Sequence, residues 1–124
     1  MKDYIKDVKR TENTDFSNMK DRLDSYDLLR LLHSSIGVST EAGEFLDMIK
    51  KHLFYGSELD LVNIEEEIGD ILYYCAISLD VVGVDFKDVM EKNIAKLEAR
   101  YPEKFTSEKA INRDLDKERK ILEK

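Results

Sequence analysis

The chain has 124 residues, a formal net charge of −7, five glycines and one proline. This length suits one domain with a modest core, and so little proline and glycine favours long helices over a fold of many turns. The single cysteine, Cys75, excludes an internal disulfide framework. Because neither a secretory leader nor an apolar stretch of the ~20 residues that span a membrane is visible, we expect a cytoplasmic protein.

The first half of the chain predicts an arm and then long helices. We predict an N-terminal arm over residues 1–17 and a first long helix that begins near Asn18. Within this helix, Leu28, Leu29, Leu32 and Ile36 recur at spacings of three and four. Gly37 interrupts this pattern, and Thr40 would cap a new helix, so the stretch is either one bent helix or two. Gly56 ends it, because glycine suits a C-terminal cap.

The second half predicts two more helices and a tail. One helix runs from about 61 to 82, and Asp85 can cap the next, which continues to about Arg100 and is stopped by Pro102. Residues 103–124 carry one further helical signal. We therefore expect an all-α single domain over residues 1–124, an antiparallel bundle of about four core helices that is completed by oligomerisation.

The acidic residues are concentrated in the middle of the chain. Residues 41–70 hold nine acids against two lysines, so this segment alone accounts for the net charge of −7. Such a segment repels nucleic-acid backbones, which makes a nucleic-acid polymer an unsuitable partner. The acids are Glu41, Glu44, Asp47, Glu58, Asp60, Glu65, Glu66, Glu67 and Asp70.

Two short motifs in this segment carry carboxylates three residues apart. Glu41 and Glu44 form one pair, and Glu67 and Asp70 form the other. Residues three apart share a helix face, so antiparallel pairing around the turn at 56–60 would bring all four carboxylates together. Hard oxygen ligands of this kind suit Mg²⁺, with Mn²⁺ as a substitute, and such a metal would also accept substrate phosphates.

The acidic motifs also have other interpretations. Acidic pairs at this spacing are common on solvated helix faces, and Glu65 and Glu66 complement the dipole of a helix N-terminus. A di-iron carboxylate bundle requires Glu-x-x-His pairs, and Arg30 and Ile49 stand three residues before the two histidines. The main alternative is a non-catalytic helical module for dimerisation or interaction. A P-loop, a Rossmann glycine motif and a Ser or Cys nucleophile arrangement are not recognised.

The order of the motifs resembles a known family. Glu-x-x-Glu at 41–44 is followed after roughly 20 residues by Glu-x-x-Asp at 67–70, and then by Asn-x-x-Lys-Leu-x-x-Arg-Tyr-Pro at 93–102. This pattern, from about Leu31 to Leu115, is similar to that of the MazG-like all-α nucleoside triphosphate pyrophosphohydrolases. The first motif of that family commonly begins with two acids, whereas here Thr40 precedes Glu41.

The resemblance implies an enzyme and a set of site residues. It implies a homodimer or homotetramer that hydrolyses a (d)NTP between the α and β phosphates to (d)NMP and pyrophosphate. A relative specialised for dUTP or for a phosphoribosyl nucleotide is an alternative within the same enzyme class. It implies Mg²⁺ held by four carboxylates, two of which, Glu41 and Glu44, would help to activate the attacking water. Cations and an amide on one face of the last core helix suit phosphate binding, and weaker candidates lie elsewhere. The metal ligands are Glu41, Glu44, Glu67 and Asp70, and the substrate-binding candidates are Asn93, Lys96, Arg100, Lys51 and His33.

Overall fold

The computed structural model describes residues 3–124, so the first two residues of the predicted arm lie outside it. Helices are the regular secondary structure of this described part, as the sequence predicts. The longest two are consecutive and hold both acidic motifs. The helices are α1 (Tyr4–Thr11), α2 (Met19–Leu23), α3 (Tyr26–Tyr55), α4 (Leu61–Val82), α5 (Phe86–Arg100), α6 (Ser107–Ile111) and α7 (Leu115–Leu122).

Side-chain caps and glycines set the ends of the long helices. Asp60 accepts hydrogen bonds from two backbone N–H groups in the first turn of α4, both at 3.1 Å, and Asp85 accepts one from the Asp88 N–H at 2.9 Å as predicted. These bonds satisfy donors that have no partner within the helix. Gly56 and Gly83 end α3 and α4 with φ angles of 73° and 71°, a left-handed conformation that glycine adopts without a Cβ penalty.

The start of the long helix differs from the prediction near Asn18. The short helix α2 ends at Leu23, and α3 begins only at Tyr26, after Ser25 caps it by accepting a hydrogen bond from the Leu28 N–H. Apolar periodicity continues across this break, which is why periodicity alone placed the start too early.

The predicted cap at Thr40 is also wrong, because α3 is one continuous helix. The Thr40 hydroxyl donates to the Gly37 carbonyl at 2.9 Å inside the helix, a bond that threonine can make three residues back along a helix. Gly37 instead provides a close approach, since a Cβ there would overlap the ring of Tyr74 on α4. The glycine therefore serves the packing of two helices and does not interrupt either.

Helices α3 and α4 form an antiparallel hairpin around the turn at 56–60. The contacts across it follow one register, in which the two residue numbers of each pair add up to about 111. Toward the open end, the fully buried Ser34 shares a hydrogen bond of 2.7 Å with Ser78. The pairs along the hairpin, from its open end to its turn, are Arg30 with Asp80, Ser34 with Ser78, Gly37 with Tyr74, Glu41 with Asp70, and Met48 with Asn63.

Apolar side chains are left uncovered along this hairpin and along α5. Within residues 3–124 no hydrophobic side chain is buried, and Leu53 and Phe54 near the turn are 67% and 76% exposed. On α5, Met90 and Ile94 are also more than half exposed. The hydrophobic faces that the sequence predicts are present, but they lack a covering layer within one chain.

The C-terminal part forms a second packed unit. Helix α7 packs against α5, and its Glu118 is only 5% exposed. The predicted tail thus contains two short helices, α6 and α7, where the sequence indicated one. Each helix of residues 3–124 is too short or too polar to span a lipid bilayer.

Candidate metal centre

Three of the four predicted metal ligands converge on one side of the hairpin. Oxygen atoms of Glu41, Glu67 and Asp70 all lie within 4.8 Å of one another. Helix α3 contributes the first of them and α4 the other two, and the antiparallel register places these turns opposite each other. The spacing of three within α4 puts Glu67 and Asp70 on adjacent turns of one face. The chain thus forms a carboxylate triad from two helices.

Glu67 is the buried member of the triad. Its side chain is 6% exposed, whereas Glu41 is half-buried and Asp70 is exposed. Burial raises the pKa of Glu67 above its usual value, and the nearby charges of Glu44 and Glu41 raise this pKa further. Loss of hydration and repulsion between like charges both disfavour the carboxylate form. A bound cation would relieve both effects.

A groove of about 450 Å³ lies beside the triad. The fourth predicted ligand, Glu44, lines it and is exposed, so its carboxylate is available to the groove although it lies outside the triad. A Cβ added at Gly43 would meet nothing within 4 Å, which keeps this wall of the groove open. The groove is lined by Thr40, Gly43, Glu44, Asp47, Met48, Lys51, Asn63 and Glu67.

Lys51 brings a positive charge to this acidic groove. Its ammonium group lies 2.7 Å from a carboxylate oxygen of Asp47, whose other oxygen pairs with Lys50. Hydrogen bonds from the two lysines lower the pKa of Asp47 to about 2, so this side chain stays charged at neutral pH. Lys51 is thereby held at the groove wall. The sequence analysis named it as one of the weaker candidates for substrate binding.

The predicted phosphate-binding residues of α5 are apart from the triad within one chain. Lys96 donates a hydrogen bond of 2.7 Å to the Asn93 side chain, so these two do lie together. Helix α5 packs mainly against α7, and within residues 3–124 no hydrogen bond or ion pair joins it to the triad. The structure therefore brings together three of the four predicted metal ligands, but it does not bring the α5 residues to them.

Arg100 is engaged by a partner that the sequence did not indicate. Its guanidinium donates two hydrogen bonds to the Glu118 carboxylate, at 2.8 and 2.6 Å, and Arg113 donates to the same carboxylate at 2.6 Å. These bonds lower the pKa of Glu118 to about 2. The role of Arg100 in binding substrate stays a prediction, because Glu118 occupies its donor fork in this structure.

His33 lies away from the groove on the outside of the hairpin. It is exposed, and its ring contacts Tyr74 edge-on, with 5.6 Å between ring centroids. Tyr74 in turn packs against Gly37 and, edge-on, against Tyr73. These aromatic contacts account for His33 as part of helix packing, and its role in base recognition stays a prediction.

The triad suits Mg²⁺ or Mn²⁺ better than a softer metal. All three converging ligands offer carboxylate oxygen, and no histidine or cysteine joins them within the described residues. Oxygen-only ligand sets with room for water and phosphate are typical of Mg²⁺ sites, while imidazole and thiolate select zinc and copper. The buried Glu67 supplies negative charge for the ion, and the open groove beside it leaves room for water and phosphate.

Asn63 is a site residue that the sequence analysis missed. Its side-chain amide donates a hydrogen bond of 3.2 Å to an oxygen of Glu67. A signal was present, since Asn63 precedes Glu67 by four residues and amide–carboxylate pairs at that spacing face each other on a helix. Glu118 had no such signal, because it lies 18 residues from Arg100.

Comparison with known proteins agrees with this site. The family model of the MazG nucleotide pyrophosphohydrolase domain matches residues 34–105, which cover more than half of the chain and both acidic motifs. The protein therefore belongs to the MazG family of nucleotide pyrophosphohydrolases, an all-α class. Neither the curated proteins nor the solved structures compared with the chain gave a match.

Proposed function

We propose that this protein is a Mg²⁺-dependent nucleotide pyrophosphohydrolase that cleaves (d)NTPs between the α and β phosphates to (d)NMP and pyrophosphate. The observation that carries the proposal is the convergence of three carboxylates within 4.8 Å beside an open groove, in a chain of the MazG family. Like charges held this close are costly unless a cation shares the site. Anionic substrates would otherwise be repelled from this groove.

The carboxylates have separate parts in this proposal. Glu41, Glu67 and Asp70 hold the ion, and Glu44, exposed at the groove, completes the set. When bound, Mg²⁺ would supply a Lewis acid that neutralises phosphate charge and lowers the pKa of the attacking water. Glu41 and Glu44, on the α3 side, are the residues that we propose to orient and deprotonate this water.

Positive side chains would bind the triphosphate. Lys51, held at the groove wall by Asp47, is a cation of α3 that lines the groove beside the triad. Asn93 and Lys96 on α5 offer further hydrogen-bond donors to phosphate, and a partner subunit would bring them to the groove. Arg100 would join them only if a phosphate replaced the Glu118 carboxylate.

The surface area of one chain supports the proposal of an oligomer. The chain exposes 10465 Å², whereas a compact monomer of this mass exposes about 6,900 Å². The excess of about 3,600 Å² is larger than the roughly 1,000 to 2,500 Å² that each chain contributes to an obligate dimer interface. We therefore propose a homodimer or homotetramer in which the uncovered faces of α3, α4 and α5 are buried.

The test compares two glutamates of the same helix. Glu67→Gln removes the buried ligand with little change in shape, and Glu65→Gln removes the same charge from an exposed position two residues away. With a panel of canonical and modified NTPs and dNTPs and Mg²⁺, we expect Glu67→Gln to lower kcat/KM about 100-fold or more. Glu65→Gln should stay within about threefold of wild type, a change of under about 0.7 kcal/mol.

The same assay includes EDTA and Glu44→Ala. Pyrophosphate release that EDTA abolishes, and that Glu44→Ala lowers, would support the metal site and the role of the groove. If a folded protein released no pyrophosphate from any nucleotide and bound no Mg²⁺, the catalytic proposal would fail. The non-catalytic helical interaction module would then be the better account of the uncovered apolar faces.

A further inference from the structure

Asn63 stands between the two helices of the hairpin, beside the buried Glu67. The cap at Asp60 fixes its backbone, since the Asn63 N–H donates to Asp60 at 3.1 Å in the first turn of α4. Its half-buried side chain reaches across to α3, where the amide nitrogen lies 2.8 Å from the sulfur of Met48. The same nitrogen donates to Glu67 Oε1 at 3.2 Å. Asn63 therefore contacts both helices that form the triad.

The orientation of this amide follows from its neighbours. A carboxylate oxygen and a thioether sulfur both accept hydrogen bonds, so the NH₂ group has to face them and the amide oxygen has to face away. Both hydrogens of the NH₂ group are used in this arrangement. Within residues 3–124, this amide is the group that donates a hydrogen bond to the Glu67 side chain. The carboxylate thus has one fixed contact in otherwise acidic surroundings.

We propose that Asn63 is a positioning residue, which holds Oε1 of Glu67 and thereby fixes the plane of this carboxylate toward Glu41 and Asp70. The inference rests on the proposed function, because it assumes that the triad holds a metal ion. A carboxylate with free rotamers loses entropy when it is ordered around an ion, and a hydrogen bond from a neighbouring side chain removes that cost beforehand. Asn63 would act on metal affinity first and on substrate binding only through the metal.

The test measures metal affinity directly, apart from turnover. Mn²⁺ is titrated into the protein of 124 residues in its native solution state, and its binding is followed by electron paramagnetic resonance. We expect Asn63→Ala to weaken Mn²⁺ binding by about 10-fold or more, within the range seen when partners of metal ligands are removed. At saturating Mn²⁺, kcat should return to within about threefold of wild type and KM to within about twofold. Asn18→Ala is the control, since Asn18 is exposed and caps α2 without a side-chain hydrogen bond.

A second substitution guards against misfolding. Asn63→Leu keeps the branch at Cγ of the native side chain, although it is larger, and has a better helix propensity. It can pack against Met48 while donating no hydrogen bond. It should weaken Mn²⁺ binding as much as Asn63→Ala does. Asn63→Gln keeps the amide four residues from Glu67 and should recover part of the affinity.

The outcomes separate the inference from the proposed function. If wild type binds Mn²⁺ and hydrolyses nucleotides while both Asn63 variants bind Mn²⁺ equally well, the positioning role is wrong and the proposed function stands. A lower urea midpoint without a change in Mn²⁺ affinity would likewise reduce Asn63 to a structural contact between helices. If wild type itself neither binds Mn²⁺ nor releases pyrophosphate, the proposed function fails and this inference fails with it.

Discussion

Gly37 and Gly43 lie six residues apart in α3, yet their surroundings differ. Gly37 is buried against the ring of Tyr74, and a Cβ there would overlap that ring, whereas a Cβ at Gly43 would meet nothing within 4 Å. Both glycines weaken a helix interior by about 1 kcal/mol relative to alanine. Only at Gly37 does close helix packing compensate for this cost, and Gly43 instead leaves room at the groove.

This difference predicts opposite effects of the same substitution. Gly43→Ala should raise the free energy of unfolding by up to about 1 kcal/mol, because it improves helix propensity in open space. Gly37→Ala should lower it by about 1 to 3 kcal/mol, because the added methyl displaces Tyr74 and overpacks the hairpin. Urea unfolding of both variants at one protein concentration checks this. Stabilisation by Gly37→Ala would show that α3 and α4 are not in close contact there.

Residue types and spacings predicted the triad, but they did not predict the long-range contacts that hold the helices together. Acids three apart on two paired helices have to share a side of the hairpin, so Glu41, Glu67 and Asp70 were accessible from the sequence. The contact between Gly37 and Tyr74 joins residues 37 positions apart, and nothing local in the sequence indicates that a glycine faces a ring. Roles of Gly37 and Glu118 therefore required the structure.

At the scale of elements, α7 is attached to α5 through one buried carboxylate. Arg100 and Arg113 both donate to Glu118, and these bonds lower its pKa from about 4.5 to about 2. A carboxyl group whose pKa is lower in the folded state stabilises that state above its unfolded pKa. This contribution is lost as the pH falls from about 4.5 toward about 2.

We predict a pH-dependent effect of Glu118→Gln on the docking of α7. At pH 7 the variant should show a lower urea midpoint and faster hydrogen exchange in α7, because the two guanidinium groups lose their charged partner. The difference from wild type should shrink as the pH falls below about 4.5. Glu123→Gln is the control, since its ion pair with Arg119 is exposed and contributes little. An effect of Glu118→Gln that did not change with pH would contradict the ion pair as its cause.

Some helix ends were predicted from the sequence, whereas the break at Ser25 and the continuity of α3 at Thr40 were missed. Gly56, Gly83 and Asp85 act as caps or turns through their own conformations or side chains, so the sequence was sufficient there. The break at Ser25 lies inside a continuous apolar pattern, and the supposed break near Thr40 is bridged by helical hydrogen bonds. Ser25 caps α3 inside that apolar pattern, and the Thr40 hydroxyl bonds back to the Gly37 carbonyl within the helix, so periodicity and cap preference alone misplaced both points.

At the scale of the whole molecule, one chain exposes more apolar surface than a stable monomer would. Leu53, Phe54 and Ile94 are each more than half exposed, in helices whose apolar stripes the sequence predicted as inner faces. The all-α class was therefore predictable from the sequence. The completed bundle was not, because no other element of residues 3–124 covers these faces.

This surface predicts the solution state. Light scattering after size exclusion should give a molar mass of at least twice the 14.5 kDa of the chain. The urea midpoint should rise with protein concentration, because unfolding is then coupled to dissociation. A stable monomer of 14.5 kDa, with a midpoint independent of concentration, would contradict the proposed oligomer.

The proposed reaction is the cleavage of a nucleoside triphosphate between its α and β phosphates. Phosphorus-31 NMR of a reaction with the preferred nucleotide and Mg²⁺ resolves the products directly. We expect equal amounts of nucleoside monophosphate and pyrophosphate, with neither formed in the presence of EDTA and both formed at a rate lowered about 100-fold or more when Glu67→Gln replaces wild type. Nucleoside diphosphate and inorganic phosphate as the products, or cleavage that persists in EDTA, would contradict it.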